Sequence, residues 1–445
     1  MNIEKTFKEF EKEIHLDSLS KYQTSLAEIT KKLNKKYYDS DSEDDHRIIV
    51  GSIGRGTAVK GVSDVDMIFE MPREVYNRFN GHDGNKQSDL LQEIRSVLKD
   101  RYPRTEIRGD GQVVDVIFDD YTIEIVPGFR EDDDSFAYPD SNDGGSWKKT
   151  DPLPEQKAVK EITGKCSYNN MVRLCNMLRI WKNHRGFPFG GLLIDTLAYN
   201  FLTEQSSHRQ DGYADSIKLL KAAFNYLSKE DPDQAYWLAL GSNQQVYNSG
   251  EGRFVRKAKT AYNKLENARD DNDKIEDALI YIFGHTFEQC IVENTTKMAN
   301  ERNHIVARAP FEDFIDEIMP VDIRYSVKID CKVTQNGFRD YLLRAVLNNT
   351  LLRDLSLHKR LEFYIAKTNV PKPYDVYWKV RNRGVESAGR ERGQILRGKT
   401  CQIEHSHFSG DHYVECFIAK DGVCVARDRI DVPINSRSYD YAHKL

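Results

Sequence analysis

The sequence lacks both the long apolar runs that cross membranes and the cysteine patterns that build zinc sites or disulfide frameworks. No window approaches the roughly 18 consecutive apolar residues of a transmembrane helix. The seven cysteines form no C-x-x-C pair and are odd in number, which argues against structural zinc and a disulfide scaffold. Residues 1–8, M-N-I-E-K-T-F-K, are too charged for a secretory signal. We therefore expect a cytoplasmic protein without a membrane partner.

An excess of positive charge is also missing. The 445 residues include 65 Lys and Arg against 70 Asp and Glu, a net charge of -5. This balance argues against broad coating of nucleic acid, but it leaves room for a local basic groove and for DNA or RNA as an activator. With 39% hydrophobic and 30% charged residues, a chain of this length can bury the cores of two or three domains.

Two short motifs in succession carry most of the chemical information. Residues 51–57 have the sequence G-S-I-G-R-G-T, whose backbone amides and Ser52 hydroxyl could donate hydrogen bonds to a triphosphate. Residues 63–69, S-D-V-D-M-I-F, place Asp64 and Asp66 on one face of a strand, because alternate strand residues share a face. Each motif alone is more often an ordinary turn or a solvated strand. Their succession favours a two-metal site for phosphoryl transfer.

A third carboxylate is expected on a neighbouring strand. Residues 112–127 predict a β-hairpin that turns at 119–120. In that register Asp115 lies opposite Glu124. Like charges directly across a ladder are destabilising, so this pair indicates either a metal site or a solvated face. We favour metal binding for Glu124.

These motifs resemble those of the DNA polymerase β-like nucleotidyltransferases. Within that superfamily they are similar to the CD-NTases, the cGAS/DncV-like or SMODS enzymes that make nucleotide second messengers, and to oligoadenylate synthetases. That family pairs G-S with D-x-D and places its third acid just before a hydrophobic, hydrophobic, Pro, small, Phe run. Residues 124–129, E-I-V-P-G-F, match this run, with Glu124 where Asp is usual.

The resemblance implies roles for the residues of both motifs. Asp64, Asp66 and Glu124 would be the catalytic carboxylates and would bind Mg2+ or Mn2+. Gly51 and Ser52 would hold the triphosphate of the donor nucleotide. The longer side chain of Glu124 implies a metal geometry that differs from that of relatives with Asp.

The resemblance extends into a helical region. Residues 171–183 resemble the family's helix with a basic triphosphate contact, for which Arg179 is the first candidate and Lys182 the second; a charged outer helix face is the alternative. The helix after Gly190 lacks the hydroxyl and aromatic residue that meet the donor base in many relatives, so the choice of base does not carry over. The F-G-H-T-F sequence at 283–287 is similar to the end of these cores.

The C-terminal part is rich in predicted strands, with one helix at 338–347. Its motifs at 377–384, 396–398 and 407–416 resemble the AGS-C domain, which is thought to sense nucleotides and is fused to second-messenger cyclases and CD-NTases. Six side chains are candidate sensor-ligand contacts, through base stacking, phosphate binding or contacts to base and sugar edges. They are Trp378, Asn382, Arg397, His412, Glu415 and Arg427. Alternatively, Trp378 and Tyr413 fill a β-sandwich core, and Arg427 and Asp428 form a structural ion pair.

The predicted fold class is α+β. We expect a polymerase β-like nucleotidyltransferase core at 1–165 with a long N-terminal spine helix over about 3–36, and a helical lobe at 166–302. A β-rich, sandwich-like sensor domain follows at 303–435, with a tail at 436–445.

The predicted function is metal-dependent polymerisation of NTPs or dNTPs into a short cyclic or linear oligonucleotide signal, with release of pyrophosphate. The resemblance implies a setting in bacterial anti-phage defence and a separate effector protein that recognises the product. Two alternatives are transfer of nucleotides to a protein or tRNA, and a catalytically silent nucleotide sensor. The tail is most simply a frayed terminus. Its hydroxyls at Ser436, Ser438, Tyr439 and Tyr441 could instead prime a linear chain, because a tethered acceptor has a high effective concentration.

Overall fold

The computed structural model describes residues 1–269, 271–291, 312–335, 337–347 and 355–435. Contacts divide the chain into two compact units, Met1–Arg185 with Phe189–Arg302 and Gly186–Pro188 with Asn303–Leu445. None of the helices in the described ranges combines the length and the hydropathy of a membrane span.

The main helices and strands have the following bounds. The helices are α1 Ile3–Ile14, α2 Ser20–Tyr38, α3 Gly51–Gly54, α4 Arg73–Asn80, α5 Lys86–Arg101, α6 Pro152–Thr163, α7 Asn170–Arg185, α8 Gly191–Glu204, α9 Ser216–Leu227, α10 Arg253–Ala268, α11 Asn272–Phe283, α12 Ile315–Ile318 and α13 Leu343–Leu347. The strands are β1 Arg47–Ile49, β2 Asp64–Glu70, β3 Glu106–Asp110, β4 Val113–Ile117, β5 Thr122–Arg130, β6 Phe136–Asp140, β7 Ser146–Thr150, β8 Tyr236–Leu238, β9 Gln245–Tyr247, β10 Val327–Thr334, β11 Tyr341–Leu342, β12 Arg360–Thr368, β13 Asp375–Arg381, β14 Ile395–Gly398, β15 Cys401–His405, β16 Gly410–Lys420 and β17 Val423–Ile434.

The first unit is organised around a mixed seven-stranded sheet. Its order is β1-β2-β5-β4-β3, with β6 paired to β5 and β7 paired to β6. Strands β2 and β5 run parallel, whereas the other pairs are antiparallel. Val65, Met67 and Phe69 of β2 are fully buried, in one core with Leu33 of α2 and Leu90 of α5. The two helices therefore shield the apolar face of the sheet.

The alternation predicted for β2 is confirmed. Asp64 and Asp66 stay partly exposed while the residues between and after them are buried. The predicted hairpin is also confirmed, because β4 and β5 pair antiparallel and place Asp115 opposite Glu124. On its other side, Glu124 is in register with Asp66 of the parallel strand β2. Three carboxylate residues therefore lie at one level across three neighbouring strands.

The N-terminal segment is not the single spine helix predicted over about 3–36. It forms two helices, α1 and α2, and the chain between them begins at His15, which has an extended backbone. The helices pack on different partners: Phe10 of α1 contacts Phe283 and Phe287, whereas α2 packs on the sheet. The break allows the two apolar stripes to face different directions.

Helices dominate the described part of the helical lobe predicted at 166–302, but one hairpin interrupts them. Strands β8 and β9 pair antiparallel, with Tyr236 opposite Tyr247. Trp237, next to Tyr236, is buried, whereas both tyrosines are exposed. Each of these strands has three residues, which is too few for an alternation of apolar and polar side chains to be recognised in the sequence.

The second unit contains two four-stranded sheets, ordered β11-β10-β12-β15 and β14-β13-β16-β17. Ile329 and Phe363 of the first sheet belong to one buried core with Trp378 and Cys416 of the second. The predicted β-rich, sandwich-like fold of this part is confirmed.

The helix predicted at 338–347 is shorter than expected. Tyr341 and Leu342 pair with β10 as strand β11, and only Leu343–Leu347 are helical. Strand pairing therefore overrides the local helical pattern at these two residues.

Candidate active site

The loop at 51–57 is pressed against the carboxylate face of the sheet. It follows β1 and begins with the single helical turn α3. Gly51 has a φ of +64°, and a Cβ added there would lie 1.8 Å from Oδ2 of Asp66. The amide of Val50 donates to the carbonyl oxygen of Asp66 at 2.9 Å. Both the backbone conformation and the available space therefore require glycine at position 51.

The carboxylates on this face have the chemistry of a donor set for a divalent metal. Asp66 and Glu124 are in register on adjacent strands, which are about 4.8 Å apart in sheets. Asp64 lies two residues before Asp66 on the same strand face, and the hydroxyl of Ser63 is 3.2 Å from its Oδ2. Asp115 is one strand farther from β2 than Glu124. Glu124 is therefore better placed than Asp115 to complete a site with the two aspartates.

These side chains fit a hard divalent cation in their chemistry. Carboxylate oxygens are the ligands that Mg2+ prefers, and Gly51 leaves room for the loop backbone beside Asp66. Within the described ranges no group of three or more His, Cys, Asp or Glu side chains is already gathered as a metal site.

Arg179 is held by a buried carboxylate that the sequence analysis assigned no role. Its guanidinium donates to both carboxylate oxygens of Asp195, at 2.6 and 3.0 Å. Asp195 also accepts from Nε of Arg55 and from the hydroxyl of Thr57, each at 2.8 Å. It is completely buried; burial raises the pKa of its carboxyl, but the guanidinium groups of Arg179 and Arg55 outweigh this and lower it to about 2. Asp195 is therefore an anion that joins α7, α8 and the loop at 51–57.

Both predicted triphosphate contacts are buried. Arg179 is 6% exposed and Lys182 is 5% exposed, so the alternative of a charged outer helix face is wrong. Their contact with a triphosphate stays a prediction, and for Arg179 it would have to be made beside Asp195.

Asn176 and Glu155 also hold the loop at 51–57. The side-chain amide of Asn176 donates to the carbonyl oxygens of Thr57 and Ala58, at 2.8 and 3.1 Å. Glu155 lies 3.4 Å from Arg55 and is 4% exposed, and this burial raises the pKa of its carboxyl. One sequence signal could have indicated this network: a lone aspartate in the apolar run L-L-I-D-T-L-A at 192–198 needs a buried partner.

The six predicted sensor-ligand residues do not form one site. Trp378 is 3% exposed, lies in the core and donates through Nε1 to the carbonyl oxygen of Lys399 at 2.8 Å. The structure therefore favours the core alternative for this residue, and Tyr413, also 3% exposed, is buried as that alternative predicts. Arg397 lies on the surface with its side chain 68% exposed, paired with Asp375.

The remaining sensor candidates separate into an ion pair and a cavity. Arg427 pairs with Glu415 at 2.6 Å. The suggested pair between Arg427 and Asp428 is wrong, because Asp428 pairs with Arg344 at 2.6 Å. Asn382 and His412 line a cavity of about 280 Å3 at the end of the sandwich.

Comparisons with known proteins identify two domains in this chain. Residues 1–162 match the Second Messenger Oligonucleotide or Dinucleotide Synthetase (SMODS) domain, and residues 309–435 match the Adenylyl/Guanylyl and SMODS C-terminal sensor (AGS_C) domain. Among curated proteins, none matches the chain with significant sequence similarity.

Several solved structures are similar to this chain. CdnC of E. coli MS115-1, solved in a complex with HORMA-deltaN, has 16% identity and a TM-score of 0.50, over 64% of this chain and 98% of that chain. CdnG of Bradyrhizobium diazoefficiens, solved with GTP, has 12% identity and a TM-score of 0.46, over 65% and 98%. DncV of Vibrio cholerae, a dinucleotide cyclase, has 10% identity and a TM-score of 0.47, over 64% and 96%. At these identities the likeness to CdnC shows the fold alone.

The fold of the first unit is that of the CD-NTases, and it places a carboxylate face beside a Gly-Ser loop. The chain carries a SMODS domain over residues 1–162 and an AGS_C sensor domain over residues 309–435.

We expect Gly51→Ala to reduce nucleotidyl transfer by about a hundredfold, the cost of a misplacement of about 1 Å in a catalytic group. The added methyl group would collide with Asp66. Gly56→Ala is the matched control, because Gly56 has a φ of +70° but no atom within 4 Å of an added Cβ. Initial rates of nucleotide incorporation measure both variants. Equal losses would show that backbone strain, and not contact with Asp66, causes the effect.

Asp195→Asn should lower the free energy of unfolding by about 3–5 kcal/mol, because it leaves two buried guanidinium groups without their anion. The lowered pKa means that the carboxylate contributes its stabilisation above pH 3.8, its ordinary value, and loses it as the pH falls towards 2. Urea denaturation at neutral pH measures the change. Asp233→Asn, at an exposed position, is the control and should change stability by less than about 0.5 kcal/mol. Equal stability of the two variants would contradict the assigned role of Asp195.

Proposed function

We propose that this protein uses Mg2+ or Mn2+ to join nucleoside triphosphates into a short cyclic or linear oligonucleotide, with release of pyrophosphate. The observation that carries the proposal is the close approach of Gly51 to Asp66, with Glu124 in register beside it. This arrangement sets a backbone turn suited to phosphate next to carboxylates suited to metal. The description of the matched SMODS domain, an oligonucleotide or dinucleotide synthetase, supports this class of product.

Each side chain has a distinct task in this scheme. Asp64, Asp66 and Glu124 would hold the metal, which supplies activation of the acceptor hydroxyl and stabilisation of the leaving pyrophosphate. The loop amides and Ser52 would hold the donor triphosphate. In the described part of the chain no hydrogen bond occupies the Ser52 hydroxyl, so it is available to a ligand. Asp195 positions the loop through Arg55 and Thr57.

The wider setting belongs to the same proposal. The proposed domains are those predicted from the sequence: the catalytic core at 1–165, the helical lobe at 166–302 and the sensor at 303–435. The proposed location is the cytoplasm. A separate effector protein would recognise the product, in anti-phage defence. Both ribo- and deoxyribonucleoside triphosphates are candidate substrates. The alternative of transfer to the chain's own tail concerns residues 436–445, which lie outside the described residues.

Replacing both aspartates of β2, by Asp64→Asn with Asp66→Asn, should reduce product formation by at least about a hundredfold, because charge stabilisation is lost while shape is kept. The assay incubates the protein with each NTP or dNTP and the metal, and identifies products by mass. Asp119→Asn with Asp120→Asn removes the same charge from the exposed turn between β4 and β5 and should retain activity. Circular dichroism checks the fold. Near-normal synthesis by the folded β2 variant would refute the assignment.

Glu124 and Asp115 can be separated by their response to metal. We expect Glu124→Gln to abolish metal-dependent turnover, and Asp115→Asn to retain it, because Asp115 is one strand farther from the two aspartates. Rates measured across a Mg2+ titration compare the two variants. The reverse pattern would make Asp115 the third ligand.

A further inference from the structure

The second unit contains a cavity at one end of its two sheets. Strands β13, β15 and β17 end there, and β12 and β16 begin there. Its floor is apolar and comes from both sheets: Leu361, Phe363, Val380, Val414, Val432 and Ile434. Two loops, at 382–392 and 405–412, supply the polar and aromatic part of the lining.

Among the described residues, the cavity lining contains one arginine that is not paired with a carboxylate. Arg392 lines the cavity but is bound by both carboxylate oxygens of Glu404, at 2.6 and 3.0 Å. Arg390 makes no ion pair with a carboxylate of the described residues. Its guanidinium carbon lies 5.7 Å from the ring centre of Phe408. A ligand that carries both an anionic group and a flat ring would match Arg390 and Phe408.

The loops that carry these side chains are fixed by His412 and Asn382. The ring of His412 is 6% exposed; its Nδ1 accepts from the amide of Arg383 at 3.1 Å, and its Nε2 lies 3.2 Å from the carbonyl oxygen of Phe408. Burial lowers the pKa of this histidine, which favours the neutral ring. In the neutral ring Nδ1 can accept the hydrogen bond from Arg383. Because both ring nitrogens are occupied, His412 positions the loops and does not bind the ligand itself.

Asn382 holds the loop and leaves one group available. Its side-chain amide donates to the carbonyl oxygen of Arg390 at 2.5 Å. In the described residues no donor reaches its Oδ1. That oxygen can accept a hydrogen bond from an amino group of a base.

The loop at 382–392 is also fixed at its base by Arg381. The guanidinium of Arg381 donates to the carbonyl oxygens of Glu391 and Arg392 at 3.1 and 3.2 Å, and its Nε donates to Glu312 at 3.0 Å. The cavity is therefore pre-formed, which reduces the ordering cost of binding.

The size of the cavity limits the ligand. Its volume of about 280 Å3 lies just below the roughly 300–1,000 Å3 found for ligand pockets. A cavity of this size favours one nucleotide unit over a complete dinucleotide.

We propose that this cavity binds a mononucleotide and does not enclose the oligonucleotide product. The phosphate lies on Arg390, the base packs on Phe408 and the apolar floor, and Oδ1 of Asn382 accepts from the base. The matched domain is described as a sensor, without a ligand. On this assignment the sensor responds to a monomer of the substrate class. The site is independent of the catalysis proposed for the first unit.

Calorimetry on the full chain tests the assignment. The Asp64→Asn, Asp66→Asn variant in EDTA prevents turnover, so the result does not depend on whether the enzyme synthesises a product. The probes are AMP, GMP, CMP, UMP, adenosine, inorganic phosphate and cyclic di-AMP. At least one monophosphate should bind at a ratio of one per chain. Adenosine, phosphate and cyclic di-AMP should each bind at least about tenfold more weakly.

Arg390→Gln should weaken binding of that monophosphate by at least about tenfold, as expected for loss of one charge-assisted hydrogen bond. Arg397→Gln is the matched control, because Arg397 is exposed on the same unit and lies outside the cavity lining. It should leave the affinity unchanged. Hydrogen exchange should show protection at 382–392 and 405–412.

Four results would overturn the proposal. They are the absence of monophosphate binding, equal binding of adenosine or phosphate, equal effects of the two arginine variants, and protection confined to residues 51–66. Tighter binding of cyclic di-AMP would assign the cavity to the product class and would likewise contradict the proposal.

Discussion

The buried carboxylate of Asp195 is the constraint on which the catalytic face depends. Its two oxygens accept hydrogen bonds from Arg179, Arg55 and Thr57, and the residue is completely buried. Burying charges costs desolvation energy, so such a network is a weak source of net stability. What it determines is position: the loop at 51–57 cannot shift without breaking hydrogen bonds to two helices. The loop that lies on Asp66 is thereby held in one place before any ligand arrives.

Strand register completes the site. Asp66 and Glu124 share one level because β2 and β5 pair in parallel, and a slip of one residue would turn the acids of the shifted strand into the core. The buried residues Val65, Met67 and Phe69 make that slip costly. The same alternation that buries the apolar side chains therefore keeps the carboxylates together.

The sequence analysis predicted the local features of this unit correctly and the distant ones less well. Alternation along β2 and the hairpin that pairs Asp115 with Glu124 follow from neighbouring residues. The partner of Arg179 lies sixteen positions away on another helix, so the lone Asp195 in its apolar run indicates that a buried partner exists but not which residue it is. The break near His15 was missed because both helices carry apolar stripes and their partners are distant in sequence.

The sensor unit shows the same limit more strongly. Trp378 is an aromatic residue that could stack on a ligand, yet its neighbours across two sheets make it a core residue. The sequence analysis suggests an ion pair between Arg427 and the adjacent Asp428. Adjacent strand residues point to opposite faces, so Arg427 pairs instead with Glu415 on the neighbouring strand. The cavity lining comes from five strands and two loops, so only the folded sheets bring Arg390 and Phe408 together.

Arg381 gives the sensor unit a thermodynamic property beyond rigidity. One guanidinium holds both the cavity loop, through Glu391 and Arg392, and Glu312, the first described residue after position 291. Two events that share a group are linked, and linkage is reciprocal. If a ligand changes the equilibrium constant for pairing of Glu312 by some factor, that pairing changes the affinity for the ligand by the same factor. Binding of a ligand in the cavity and pairing of Glu312 with Arg381 are therefore expected to be coupled.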